Sequence, residues 1–156
     1  MIDSFDGAYT WLSNFYPYVV FYDGINYPSA EHAFQAAKTL NAYDRALIKE
    51  CPNPGKAKRM GREVTLRPNW EDIKVDIMYE VLREKFKRNP LKQKLMDTGT
   101  EELVEGNNWN DKEWGVVNGK GKNKLGKVLM RVREELIVAS ITAADDPIAI
   151  LEDSSE

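Results

Sequence analysis

The chain has 156 residues, of which 42% are hydrophobic and 30% charged, with a formal net charge of −3. That length suits one domain burying roughly two-thirds of its unfolded surface without covalent staples. One cysteine, Cys51, and one histidine, His32, exclude a disulfide scaffold and a Cys/His metal cage, and permit a Ser-His-Asp triad only if His32 serves it. Carboxylates, lysines and aromatics remain for chemistry.

The opening MIDSFDGAYTW is acidic and lacks the basic-then-apolar layout of a signal peptide. No apolar run approaches the roughly 18 residues of a membrane span. A cytoplasmic location is the expectation, with no membrane partner.

Residues 12–17 alternate aromatics with turn formers. Residues 18–22 (YVVFY) and 25–27 (INY) then flank Asp23-Gly24, which predicts a hairpin. Ser29 is the candidate N-cap of a helix with apolar stripe Ala30, Ala33, Phe34 and Ala37. A short helix is expected over residues 43–50, stopping at Pro52, and another from Pro54 to about Arg62, with Gly61 weakening its end. Asn69 reads as the N-cap of a long helix with apolar positions Trp70, Ile73, Ile77, Val81, Leu82 and Phe86, ending before Pro90.

Leu91, Leu95 and Met96 suggest a further helix closed by Gly99. Residues 102–105 (ELVE) and 114–117 (WGVV) are strand candidates across a polar turn. The last helix starts at Asn123 with stripe Leu125, Val128, Leu129, Val132 and Leu136. Mixed element order without a βαβ rhythm indicates an α+β class: one mostly helical domain with a small β component. Residues 1–138 form that domain and 139–156 an acidic C-terminal tail.

The tail carries five acids and no base, so without it 20 acids face 22 bases and the net charge becomes +2. Bases cluster at 56–62, 83–94 and 120–133. A solvated helix face accounts for such runs, and an anion site for phosphate is the sharper reading.

Three features bear on chemistry. At 100° per residue Glu31, Gln35 and Lys38 form a second stripe on the first helix, roughly 110° from the apolar one. An exposed Glu–Lys face is the ordinary reading of that spacing, and a site at the edge of the buried face is the other. The segment from Glu105 to Gly115 places two tryptophans, three asparagines and Asp111 in one loop, suited either to stacking on a ligand or to plugging the core. Gly119 to Lys127 is a glycine-rich loop entering a helix N-terminus, a place that favours phosphate but matches no established fingerprint.

Together and in this order the motifs resemble the NADAR superfamily, which includes N-glycosidases of riboflavin-biosynthesis intermediates. Leu12-Ser-Asn-Phe15 and Tyr27-Pro-Ser-Ala-Glu31-His-Ala-Phe-Gln35-Ala-Ala-Lys38 resemble its opening motif. Ala57-Lys58, Gly61-Arg62, Trp70, Met78 and Lys85-Phe86 fit its middle. Thr98-Gly99, Leu103 to Glu105, Asp111, Trp114-Gly115, Asn123 to Met130 and Arg133 complete it, so the likeness runs from residue 5 to about 138. Ser29 stands where the family often has threonine, and the tail lies outside the pattern.

The resemblance implies hydrolysis of a ribose–nitrogen bond. One branch acts on phosphoribosylamino-pyrimidines, and another removes ADP-ribose from guanine, which would bring in ADP-ribosylated nucleic acid as a partner. Cleavage through an oxocarbenium-like state needs negative charge near the ribose and a proton for the departing nitrogen. The resemblance places this weight on Glu31 and Asp111, expected to face one cleft. A Glu31 at the buried edge suits protonation of the nitrogen or activation of water, while Asp111 steadies charge on the sugar.

Lys38 is the candidate for a Schiff base with the opened sugar, with Lys58 behind it. Substrate binding is implied for Asn14, Phe15, Gln35, Lys58, Trp70, Trp114, Asn123 and Gly126, with residues 123–127 holding a phosphate. Neither a metal nor an organic cofactor is implied. A catalytically silent nucleotide- or ADP-ribose-binding module is the alternative of another class, and the joint presence of Glu31, Lys38 and Asp111 argues against it.

Overall fold

The computed structural model describes residues 1–144, so the tail from residue 145 onward lies outside the described residues. The chain divides into two compact units: Phe5–Lys85, and Met1–Ser4 together with the chain from Phe86 onward.

The Phe5–Lys85 unit opens with a 3₁₀ helix, Gly7–Leu12, that buries Trp11 and Leu12. The antiparallel pair β1 (Pro17–Tyr22) and β2 (Ile25–Ser29) follows. Asp23 and Gly24 take φ of +47° and +85°, the left-handed turn that a two-residue hairpin requires. Strand alternation then buries Val20, Tyr22 and Tyr27 while Val19 and Phe21 face water.

Four helices complete this unit: α1 (Ala30–Ala37), α2 (Ala42–Lys49), α3 (Pro54–Gly61) and α4 (Trp70–Lys85). Helix α1 packs against α2, α3, α4 and both strands, and all eight of its residues are buried. Its start is locked twice. Ser29 Oγ accepts from the His32 backbone N–H at 3.1 Å and meets His32 Nδ1 at 2.7 Å. His32 Nε2 lies 3.0 Å from the Cys51 carbonyl, which can only accept, so Nε2 carries the proton and the Ser29 hydroxyl donates to Nδ1. The single histidine is a buried clasp.

Helix α4 departs from expectation at its first residue. Asn69 has φ of +59° rather than the extended backbone of an N-cap, and its carbonyl accepts from Asp72 and Ile73. The expected stripe is otherwise buried at Trp70, Ile77, Val81 and Leu82, with Ile73 half-buried.

In the other unit α5 (Leu91–Asp97) ends as expected at Gly99, whose φ is +61°. The two strand candidates are not strands. Segments 102–105 and 114–117 make only isolated bridges, Ile2 with Leu103, Gly106 with Val116 and Val117 with Lys120. The pairing stops at one bridge: the Glu105 carbonyl accepts from the Val116 N–H at 2.9 Å, but the Glu105 N–H donates to a side chain, Asn123 Oδ1, at 3.0 Å. Helix α6 (Lys124–Ala144) runs past the expected boundary at 138, so the first six tail residues are helical. Arg133 fastens α6 to the end of α5, donating to Thr98 Oγ1 at 2.9 Å and the Glu101 carbonyl at 2.7 Å.

Candidate active site

Enclosure of α1 decides between the two readings of its second stripe. Glu31 and Gln35 are 7% and 4% exposed, so they are not a solvated face. Gln35 Nε2 donates to Glu31 Oε1 at 2.9 Å, and the Glu31 backbone N–H donates to the Asn14 carbonyl at 3.0 Å. A carboxylate withdrawn from water this far is costly unless polar groups surround it. Here an amide holds one of its oxygens.

Lys38, at the end of the same helix, is half-buried. Burial pushes its ammonium below the usual lysine range. Glu31 opposes that shift, and Arg62, Lys58 and Lys74 reinforce it. Among the described residues Lys38, Lys58 and Arg62 form no ion pair, whereas Lys74 pairs with Glu71. A lysine in this setting holds a larger neutral, nucleophilic fraction than a solvated one.

Asn14 is buried, with Nδ2 3.5 Å from Met78 Sδ, and its Oδ1 has no protein partner. Phe15, next to it, is 44% exposed and presents an aromatic face. Trp70 is 6% exposed and packs on Phe34 with ring centroids 5.3 Å apart, so its ring serves the core of this unit. Of these two aromatics implied in substrate binding, Phe15 is the one that faces solvent.

The remaining expected residues belong to the other unit. Asp111 Oδ1 accepts from the backbone N–H groups of Glu113 at 3.1 Å and Trp114 at 2.9 Å, organising the loop. Trp114 is half-buried, and its carbonyl accepts from Leu125 at 3.0 Å. The α6 start is occupied by protein: Lys124 and Leu125 donate to the Glu113 and Trp114 carbonyls at 3.2 and 3.0 Å. Asn123 gives Nδ2 to the Leu103 carbonyl at 2.9 Å and Oδ1 to the Glu105 N–H. A Cβ on Gly126 would stand 2.1 Å from the Leu103 carbonyl oxygen. This helix start is therefore a packed joint, which is a correction to its expected part as a phosphate cradle.

A mutation checks that correction. Asn123 sits at φ of +51°, which asparagine tolerates better than alanine. Asn123→Ala removes two buried hydrogen bonds and adds backbone strain, so stability should fall by about 3 kcal/mol in urea denaturation. Unchanged stability with a raised KM would return Asn123 to the ligand.

Three further residues of this unit carry a signal in the sequence beyond the expected site residues. Lys74 and Lys85 occupy positions on the apolar stripe of α4, where a lysine is out of place. Gly61 read only as a weak helix end. Its φ is not left-handed, and a Cβ there would lie 1.9 Å from Gln35 Oε1. Among the described residues no cluster of three or more His, Cys, Asp or Glu could hold a metal, and no helix is long and apolar enough to cross a membrane.

The N-glycosidase YbiA of Shigella boydii is 42% identical over 131 residues, which cover 81% of each chain. That of Escherichia coli is 41% identical over the same length. A riboflavin biosynthesis protein of Vibrio vulnificus is 38% identical over 135 residues, 84% of this chain but 36% of that protein. The NMR structure of the Escherichia coli protein YbiA superposes with a TM-score of 0.79 at 38% identity, covering 90% of this chain and 89% of that one. The NADAR domain matches residues 3–137, and the chain belongs to the NADAR domain family.

Proposed function

We propose that this chain is an N-glycosidase, a hydrolase of the ribose–nitrogen bond in phosphoribosylamino-pyrimidines or similar N-ribosyl nucleotides. The observation that carries the proposal is the buried Glu31, held by Gln35 inside an enclosed helix whose end presents Lys38. The names of the N-glycosidase and riboflavin-biosynthesis relatives support it.

The carbon–nitrogen bond breaks with its electron pair passing to nitrogen, which takes a proton. Water adds its oxygen to the anomeric carbon and gives up a proton in turn. Glu31 is the group placed for one of these transfers, and Asp111 is the second carboxylate that the family resemblance implies. Asn14 Oδ1, buried and without a protein partner, accepts from a donor on the substrate, such as a ribose hydroxyl. Lys58 of α3 and Arg62 just after it supply positive charge for the substrate's phosphate, in place of the occupied start of α6.

Purified protein offered a phosphoribosylamino-pyrimidine should release free base, followed by chromatography. Release only from ADP-ribosylated guanine would assign the chain to the other branch. Binding of either without release would make it a nucleotide-binding module. The lowered proton affinity of Lys38 favours a covalent route in particular. Its neutral amine would add to the aldehyde carbon of the opened sugar and expel water as the imine forms. Borohydride added during turnover should then leave a stable mass increment on Lys38, and trapping on another lysine would remove that role from it.

A further inference from the structure

We infer that Gly61 is a positioning residue for Glu31, acting from α3 through the Gln35 amide. The inference rests on the reading of Glu31 as the proton-transferring group, and it adds a residue to which no chemistry attaches by itself.

A Cβ on Gly61 would meet Gln35 at three atoms: 1.9 Å from Oε1, 2.8 Å from Cδ and 3.1 Å from Cβ. The atoms that must yield are the end of the Gln35 side chain, and with Gln35 only 4% exposed that end moves by leaving its place beside Glu31. The amide occupies the space a side chain at Gly61 would take. From there its Nε2 reaches Glu31 Oε1 at 2.9 Å. One carboxylate oxygen is thus fixed by a side chain whose own seat is the missing side chain of Gly61. Glycine is not needed here for its backbone, since Gly61 has no left-handed φ. In a helix such as α3, alanine would by itself be the better former. What the position needs is space.

The effect of filling that space should depend on the partner at position 35. In the wild-type background Gly61→Ala forces the Gln35 amide off Glu31. The thermal midpoint should fall and kcat should drop about 10- to 100-fold, with KM little changed, as expected for a misplaced reacting group. In a Gln35→Ala background the amide is gone and only the Cβ of residue 35, 3.1 Å from the added one, remains to give way. The same Gly61→Ala change should then cost far less of the midpoint and leave kcat where Gln35→Ala alone has put it.

A readout independent of turnover is the carbon-13 titration of the Glu31 carboxyl. Loss of an N–H donor to a carboxylate moves its titration to higher pH, so both single variants should shift it in that direction. Lys38, which couples to Glu31, and the charges that act on Lys38 in turn, Lys58, Arg62 and Lys74, are the same in every variant. A Gly61→Ala protein with an unmoved Glu31 titration overturns the inference, as does equal destabilisation by Gly61→Ala in both backgrounds. Full activity in Glu31→Gln instead defeats the catalytic reading of Glu31, while the titration and the cycle of midpoints still decide whether Gly61 seats Gln35.

Discussion

Glu31→Gln should lower kcat by roughly 100-fold or more while the protein keeps its fold, since a lost acid or base costs on that scale. The substitution preserves side-chain volume in a fully enclosed helix, and the new amide oxygen can still accept the bond from Gln35 Nε2. Only the titratable proton is gone. Asp111→Asn is equally conservative, because the retained Oδ1 keeps the two backbone donors of Glu113 and Trp114. If both carboxylates serve one transition state, the double variant should be far less impaired than the product of the two single losses. Multiplicative losses would assign Asp111 to a separate step, and an unchanged kcat in Glu31→Gln would end the glutamate's part.

The second large effect concerns stability and pH. Lys85 is completely buried, donates from Nζ to the Ser13 carbonyl at 2.7 Å and stands 5.7 Å from the Tyr16 ring centre. Burial pushes its ammonium down to about 7 from the ordinary 10.5. Between those values the unfolded chain binds more protons than the folded one, so stability should rise with pH from 7 upward. The slope from this group is at most about 1.4 kcal/mol per pH unit, and below pH 7 it vanishes because both states are protonated.

Lys85→Met keeps the apolar stem and removes the titrating head. Urea midpoints at pH 7 and pH 9 should therefore lie closer together in the variant than in the wild type. Some slope will remain, since Lys38 is shifted in the same direction. Parallel curves for the two proteins would show that Lys85 does not titrate in this range.

Local signals in the chain were read correctly where one residue type decides the geometry. Asp23-Gly24 sets a hairpin, Ser29 a cap, and Gly99 a helix end, each by chemistry within a few residues. The strands expected at 102–105 and 114–117 failed for a nonlocal reason: Asn123, some 18 residues beyond Glu105, takes the donor a neighbouring strand would have used. The same long reach hid the joint at the start of α6, where glycines and lysines imitate a phosphate loop. The Glu31 stripe was visible as a spacing, but its burial was not, because periodicity describes one helix and enclosure is made by three others and a hairpin. Gly61 was illegible as more than a weak helix former, since its meaning lies in a glutamine on another helix.

The complete enclosure of α1 has an evolutionary side. A carboxylate and an amide inside a packed helix are poor choices for folding alone, and apolar residues of similar volume would pack there with less desolvation. Selection for stability alone would therefore drift this helix toward leucine and methionine within a lineage that had abandoned turnover. This chain carries the polar pair at a cost in desolvation that use of the site would justify. Among kindred chains, the chemical character of these two interior positions offers a direct way to sort working enzymes from descendants that keep only the scaffold.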